Sequence, residues 1–446
     1  MNEAIRVSMV SLGCARNLVD SEVLLGHVLE EGLQVVSEPQ DADVVVVNTC
    51  GFVEQAQQES IDTILEMSER VRARGGRLVV VGCLVQRHAD ELAEALPEVD
   101  VFAGTGAYER IDALVVQRDG PRVHATRPAG PSDHQAPRVL STPRHLAYVR
   151  VAEGCSQGCA FCAIPRMRGR ARSRPVDDVV REVDELVAAG VVEIVLIAQD
   201  LTHYGADLEP PATLAALLRR LVEVPGLRWL RLLYCNPDGL TDEVVELVGS
   251  EPRICTYLDV PIQHASDRVL ARMRRRTTRR DLERLWARLR GIDDLVLRTT
   301  VLVGHPGETD ADFDTLCRFV QTWEPDHLGV FCFSPQEGTP STRQADVVPA
   351  EVARRRRDHL MALQRDISRR RLARWVGRTV ELLVEGPSAE CDWVLQGRTY
   401  GQAPEVDGVT YLTGDCTDVR PGVLWRVVVE GAADYDLVAR PIARVD

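Results

Sequence analysis

The chain has 446 residues, and with 45% apolar and 27% charged residues it is not a disordered chain; at roughly 150 residues each, about three domains are expected. Its basic and acidic side chains number 53 and 67, a net charge of −14, which argues against a protein built mainly to grip phosphate backbones. All 53 basic residues are arginine, which excludes a lysine Schiff base, a Walker lysine and a kinase-type lysine.

Residues 1–120 alternate apolar strands with helical runs. IRVSMVSLG ends at Cys14 and is followed by the helical run Val19–Glu31. ADVVVVNTC ends in Cys50, before the helical run Val53–Ala73, and RLVVVGC ends in Cys83, before a helix over Ala89–Ala95. Buried β-branched runs between amphipathic helices predict a doubly wound parallel sheet. Residues 121–144, rich in Pro, Ser and His, read as a linker.

From His145 the alternation resumes. HLAYVRVAEG, VEIVLIAQD, LRWLRLLYC, TYLDVPIQH, LVLRTTVLVG and HLGVFCFSP are the candidate strands, with helices such as Val176–Ala189 and Ala212–Val222 between them. Six such units are too few for a complete eight-fold barrel, so 145–377 is expected to form a (β/α)6 partial barrel. An Arg-rich helix closes it near Gly377. From RTVELLVEG onward, short strands between Gly, Pro and Asp turns predict a small β-barrel over 378–446. No run approaches ~18 apolar residues, and the start lacks a basic and then apolar segment, so neither a membrane span nor a secretory signal is expected. The chain is therefore expected to be cytoplasmic, where its twelve cysteines would bind metal or do chemistry rather than pair.

GCSQGCAFC places Cys155, Cys159 and Cys162 in a CxxxCxxC spacing just after the first strand of the second body. Three thiolates on one tight loop suit three irons of a four-iron cluster and leave the fourth iron open for a small molecule. A structural zinc ion is the alternative, but it wants four ligands. Cys14, Cys50 and Cys83 are spaced too widely for spacing to mean anything. Each ends a predicted parallel strand, however, and the ligand crevice of a doubly wound sheet lies at those ends. The alternative is three buried structural cysteines, which is also how Cys235, Cys255, Cys317 and Cys332 read. Cys391 and Cys416 have no partnering motif.

With Phe161 before the third cysteine, the CxxxCxxC loop resembles that of the radical S-adenosylmethionine enzymes. SLGCARNLVDSE, VVVVNTCGFVE and VVGCLVQR resemble the N-terminal domain of the methylthiotransferases in that group, and RTVELLVEG onward resembles their TRAM domain. TPRHLAYVRVAEGC, PRMRGRARSRP, LDVPIQHAS and APEVDGVTYL resemble the branch that methylthiolates an aspartate of small-subunit ribosomal protein twelve. The resemblance implies two 4Fe-4S clusters, one on Cys14, Cys50 and Cys83 and one on Cys155, Cys159 and Cys162. It further implies S-adenosylmethionine as methyl donor and radical source, and an electron donor such as flavodoxin or ferredoxin. The radical would take a hydrogen from the β-carbon of the aspartate, and sulfur held at the N-terminal cluster would couple to that carbon.

Weaker signals surround these. In VLVGHPGET, Gly304 and Glu308 are candidate cofactor contacts, the alternative being a turn and helix cap. Gln199 and Gln263, at strand ends, and Phe161 are further cofactor candidates. Arg231 and Arg298 could clamp the substrate carboxylate. Residues 376–446 carry six arginines against twelve acids, which suits a basic protein better than RNA and disfavours the rival tRNA methylthiotransferase. Asp407, Asp415 and Asp418 are the acids expected to dock that protein, and the barrel chemistry is expected to survive loss of 378–446. A cobalamin enzyme would show an Asp-x-His-x-x-Gly loop, which is absent. An Fe–S carrier would have no use for an open iron.

Overall fold

Buried valine runs separated by amphipathic helices build the first body, in a computed structural model that describes residues 5–128 and 137–445. In chain order it comprises β1 (Arg6–Ser11), α1 (Ala15–Glu30), β2 (Gln34–Val35), β3 (Val44–Thr49), α2 (Glu54–Arg72), β4 (Arg77–Gly82), α3 (Cys83–Ala95), β5 (Val101–Ala103), α4 (Ile111–Val116) and β6 (Val123–His124). The strands pair in parallel in the order β2-β1-β3-β4-β5-β6. Val45 and Val47 pack toward α2 and α3, while Val44 and Val46 pack toward α1 and α4, so the period-two alternation of one strand feeds two cores. The third helix begins at Cys83 itself, not at Ala89, and bends at His88, whose φ is −132°. β6 lies inside the expected linker. Residues 129–136 of that linker lie outside the described residues, and Val139 N–H then donates to Glu22 O of α1 at 3.0 Å.

The second body contains β7 (Leu146–Arg150), β8 (Ala152–Glu153), α5 (Ile164–Arg168), β9 (Arg172–Ser173), α6 (Val176–Ala188), β10 (Glu193–Ile197), α7 (Leu214–Leu221), β11 (Trp229–Leu232), α8 (Asp242–Ser250) and β12 (Tyr257–Asp259). It continues with α9 (Asp267–Arg272), α10 (Arg279–Leu289), β13 (Val296–Val303), α11 (Asp310–Trp323), β14 (His327–Cys332) and α12 (Ala350–Ala373). β7, β10 and β11 form one parallel sheet and β12, β13 and β14 another. Backbone bonds from Cys255 N–H to Leu230 O and from Cys235 N–H to Asp259 O, both 2.9 Å, stitch them into one six-stranded curve. Helix starts follow their sequence signals: Thr278 with Asp281 and Thr309 with Asp312 close capping boxes. Among the described residues no helix is long and apolar enough to cross a membrane.

The curve packs its outer face on its own helices. Its inner face is covered by other bodies: Tyr148, Trp229 and Tyr257 share one core with Val19 of α1 and with Leu383, Ala403, Leu424 and Leu437. Those last four belong to the C-terminal body, made of β15 (Thr379–Pro387), β16 (Leu395–Thr399), β17 (Thr410–Leu412), β18 (Leu424–Ala432) and β19 (Leu437–Arg444). Its strands close into a five-stranded barrel in the order β15-β16-β17-β19-β18.

Candidate metal centres and active site

The strand order of the first sheet reverses between β1 and β3, and a doubly wound sheet binds its ligand at that switch point. Cys14 caps α1 after β1, Cys50 follows β3, and Cys83 opens α3 after β4. Two glycines let these ends meet. A Cβ on Gly13 would lie 2.7 Å from Cys50 Cβ, and one on Gly51 would lie 2.8 Å from the Cys83 carbonyl carbon. Burial works to raise the Cys14 thiol, but Arg16, the Asn17 N–H and Arg168 outweigh it and leave the pKa lowered. Burial lifts Cys50 and pushes Cys83 to about 12.

The second triad lies on the loop between β8 and α5. Cys155 N–H donates to Gly169 O at 3.1 Å, Cys162 N–H to Cys159 O at 3.2 Å, and Ala160 N–H to Met273 O at 2.9 Å, so the loop is pinned from inside and from the neighbouring α9 end. Gln157 donates to Asp200 at 2.7 Å, and Arg275 Nη1 lies 3.6 Å from Cys159 Sγ. Burial pushes Cys155 to about 11 and Cys162 to about 12. Three cysteine sulfurs on one pinned loop are the soft donor set that iron–sulfur clusters take. Among the described residues neither triad has its three sulfurs all within 4.8 Å of one another. A single tetrahedral ion with ~2.3 Å bonds wants them about 3.8 Å apart. Separate irons of a cluster accept the wider spacing.

A buried ionic network joins the first triad to the segments that flank the second. Arg168, six residues beyond Cys162, sends Nε to Cys83 Sγ at 3.2 Å, Nη2 to Asn17 Oδ1 at 2.7 Å and Nη1 to Asp20 Oδ2 at 2.5 Å. Arg150 bonds the other Asp20 oxygen and lies 3.0 Å from Glu153, one residue before the loop glycine. Arg16 donates to Ala198 O, at the end of β10, at 3.0 Å and lies 4.6 Å over the Tyr234 ring. Residues 6–104 match the uncharacterized protein family UPF0004, 149–320 the Radical SAM superfamily and 376–442 the TRAM domain. The ribosomal protein uS12 methylthiotransferase RimO of Anaeromyxobacter sp. (strain K) is 49% identical over 443 residues, covering 99% of this chain and 94% of its own. That of Geobacter sulfurreducens is 45% identical, covering 98% and 99%. The chain belongs to the RimO family of methylthiotransferases. Two solved structures share the fold alone. The radical S-adenosylmethionine methyltransferase TsrM from Kitasatospora setae, with cobalamin and a [4Fe-4S] cluster bound, has a TM-score of 0.60 at 18% identity over 76% of this chain and 77% of that one. The cobalamin-dependent enzyme OxsB has 0.53 at 14%, over 80% and 56%.

Other residues singled out in the sequence of this RimO-family chain take different places. Arg231 is fully buried. It bonds Glu193 at 2.6 Å and the Tyr400 carbonyl at 2.7 Å, so it joins the partial barrel to the C-terminal barrel and is not free to clamp a substrate. Arg298 donates Nη1 to Asp407 at 2.8 Å, with only part of its fork engaged. Glu308 turns inward: its Oε2 accepts the Gly304 and His305 N–H groups and its Oε1 lies 3.2 Å from Arg356. A Cβ on Gly304 would sit 2.5 Å from Ala353 Cβ, so that glycine lets α12 approach closely. This segment is thus the turn and cap. Gln199 donates to Glu153 at 2.8 Å, leaving its own oxygen buried and unpaired. Gln263 has a φ of +69° and bridges β13, and Phe161 is half-buried between its cysteines. Asp407, expected on the surface, has its side chain buried against Arg298, Tyr257 and the Ala403 N–H. Arg16, Asn17, Asp20, Glu153 and Arg168 are functional-site residues that no motif singles out, although each lies in a segment that carries the family resemblance: SLGCARNLVDSE, TPRHLAYVRVAEGC or PRMRGRARSRP.

Proposed function

We propose that this protein methylthiolates the β-carbon of an aspartate on ribosomal protein uS12, with Cys155, Cys159 and Cys162 holding one 4Fe-4S cluster and Cys14, Cys50 and Cys83 a second. The observation that carries this reading is Arg168, six residues beyond Cys162, which bonds Cys83 and Asp20 of the first body and so ties the segment after one cysteine loop to a strand end that carries a cysteine of the other group. When bound, the clusters and S-adenosylmethionine supply cleavage of an unactivated C–H bond and delivery of sulfur, chemistry that no acid–base side chain reaches. The chain does the rest. Arg168 sets positive charge beside Cys83, which offsets part of the burial that raises that thiol, and Arg275 Nη1 lies 3.6 Å from Cys159 Sγ. Asp20 and Glu153 fix Arg168, Asn236 and the Pro261 carbonyl fix Arg275, and α1 and the C-terminal barrel cover most of the inner face. Residues 1–120 thus carry sulfur, 145–377 generate the radical and 378–446 help to hold uS12. Electron donor, such as flavodoxin or ferredoxin, and substrate meet the enzyme in the cytoplasm.

Mass spectrometry of uS12 and of tRNA nucleosides from a deletion strain tests the function: loss of the methylthio group from uS12 alone is expected, and loss from tRNA alone rejects it. Iron content tests the ligands. Anaerobically reconstituted protein should hold about eight irons. Alanine at Cys155, Cys159 and Cys162, or at Cys14, Cys50 and Cys83, should halve that number independently. The N-terminal triple variant should still cleave S-adenosylmethionine yet give no methylthio product.

A further inference from the structure

The inner face of the six-stranded curve is covered by α1 and the C-terminal barrel except along one strip on β13 and β14. On β13, burial alternates: Leu297, Thr299, Val301 and Val303 are buried against the helices, while Arg298, Thr300 and Leu302 are half-buried on the inner side. On β14, Gly329 and Phe331 continue the strip, and the Phe331 ring is 55% exposed, unusual for a large aromatic inside an enzyme's barrel. A Cβ placed on Gly329 would lie 3.5 Å from Phe331 Cε2, 3.5 Å from Thr300 Oγ1 and 3.7 Å from Arg298 Nη2. These three groups therefore converge on a space that the absent side chain leaves open. Arg298 is held in place from the side away from it: Nη1 bonds Asp407 at 2.8 Å and Val406 O at 3.2 Å, both on the C-terminal barrel. Among the described residues, Nη2 and the Thr300 hydroxyl have no hydrogen-bond partner. Asp259, 3.7 Å from Arg298 Nε, accepts the N–H of Tyr234, whose ring lies under Arg16, two residues from Cys14. The strip thus runs from the C-terminal barrel toward the two triads.

We propose that Arg298, Thr300, Gly329 and Phe331 form the seat of the acceptor aspartate, an assignment that rests on the uS12 reading above. Arg298 Nη2 and the Thr300 hydroxyl take the carboxylate. An arginine fork has donors for a second carboxylate beside Asp407, and the tether on Nη1 fixes its direction in advance. Phe331 packs on the flank of the substrate loop as a rigid aromatic anchor, and Gly329 leaves the room in which the acceptor side chain sits. A basic ribosomal protein fits this approach because the exposed Glu405 stands beside Val406 at the edge of the strip.

The test uses the reconstituted holoenzyme and a fluorescent uS12 peptide carrying the acceptor aspartate, with an Asn-for-Asp peptide as control. Gly329→Ala places its methyl at ordinary van der Waals distance from all three neighbours, so it fills the seat without strain. Thr300→Val removes the hydroxyl, and Phe331→Ala trims an exposed side chain. Each is expected to raise Kd and KM for the Asp peptide by five-fold or more, with kcat within two-fold and substrate-free cleavage of S-adenosylmethionine unchanged. The Asn peptide should bind wild type and Thr300→Val equally weakly, and Phe331→Ala should weaken both peptides. Wild-type Kd in all three variants would overturn the assignment, as would an equal loss of substrate-free cleavage, which would give the strip to the cofactor. If wild-type enzyme leaves uS12 itself unmodified, the functional reading falls, an outcome seen without any variant.

Discussion

Arg168 shows how much one buried side chain can join. Its guanidinium touches Cys83, Asn17 and Asp20, linking the helix after one cysteine loop to the strand ends that carry the other. Replacing it with Met would strand Asp20 and Glu153 as buried carboxylates with only Arg150 to balance them, a loss on the order of 3–5 kcal/mol. The expected outcome is a clear drop in melting temperature and iron lost from the N-terminal triad first, read by calorimetry and iron analysis. His305 makes a second prediction. It accepts from Ser341 through Nε2 at 2.8 Å, and burial lowers its pKa to about 4 from 6.5. Between those values the unfolded chain binds the proton and the folded chain does not, so stability rises with pH there and is lost as pH falls from about 6.5 toward 4. Up to about 3 kcal/mol is at stake. His305→Phe should flatten that acid limb when melting temperatures are compared between pH 7 and pH 4.5.

At the scale of elements, the C-terminal barrel is not a detachable module. Glu193 of β10 lies between Arg231 of β11 and Arg398 of β16, at 2.6 and 2.7 Å, and all three are buried. Removing 378–446 would leave Arg231 and Glu193 without Arg398 or the Tyr400 carbonyl and bare the apolar face around Tyr148 and Trp229. The truncated chain is therefore expected to lose its cooperative melt and with it substrate-free cleavage of S-adenosylmethionine, contrary to what the placement of the six cysteines suggests. Arg398→Met alone should lower stability by about 3 kcal/mol or more, measured by denaturant titration. This dependence was hidden because Arg231 and Arg398 stand in unremarkable strand sequence. Arg398 meets Glu193 across 205 positions and Arg231 meets the Tyr400 carbonyl across 169, which no local pattern records.

For the molecule as a whole, charge sets the approach of a partner. Asp415 and Asp418 remain exposed on the C-terminal barrel, unlike Asp407. Asp415→Asn with Asp418→Asn should slow association with purified uS12 a few-fold at low salt and match wild type at high salt, since screening already removes the long-range attraction; stopped-flow binding at two ionic strengths measures it. The amino-acid sequence alone was sufficient for the parallel sheet, the six-unit curve and the closing β-barrel, and it set Cys155, Cys159 and Cys162 on one loop. Their signals are local: valine runs bounded by turns and a tight CxxxCxxC loop each reflect the physics of a few adjacent residues. Only the tertiary structure decided what the isolated charged residues do. Arg231, Glu308 and Asp407 looked like ligands-in-waiting because a lone Arg or carboxylate has no sequence mark that separates a partnered side chain from a free one. Burial against distant partners turned them into internal braces, while the same folding left Arg298 with one edge open.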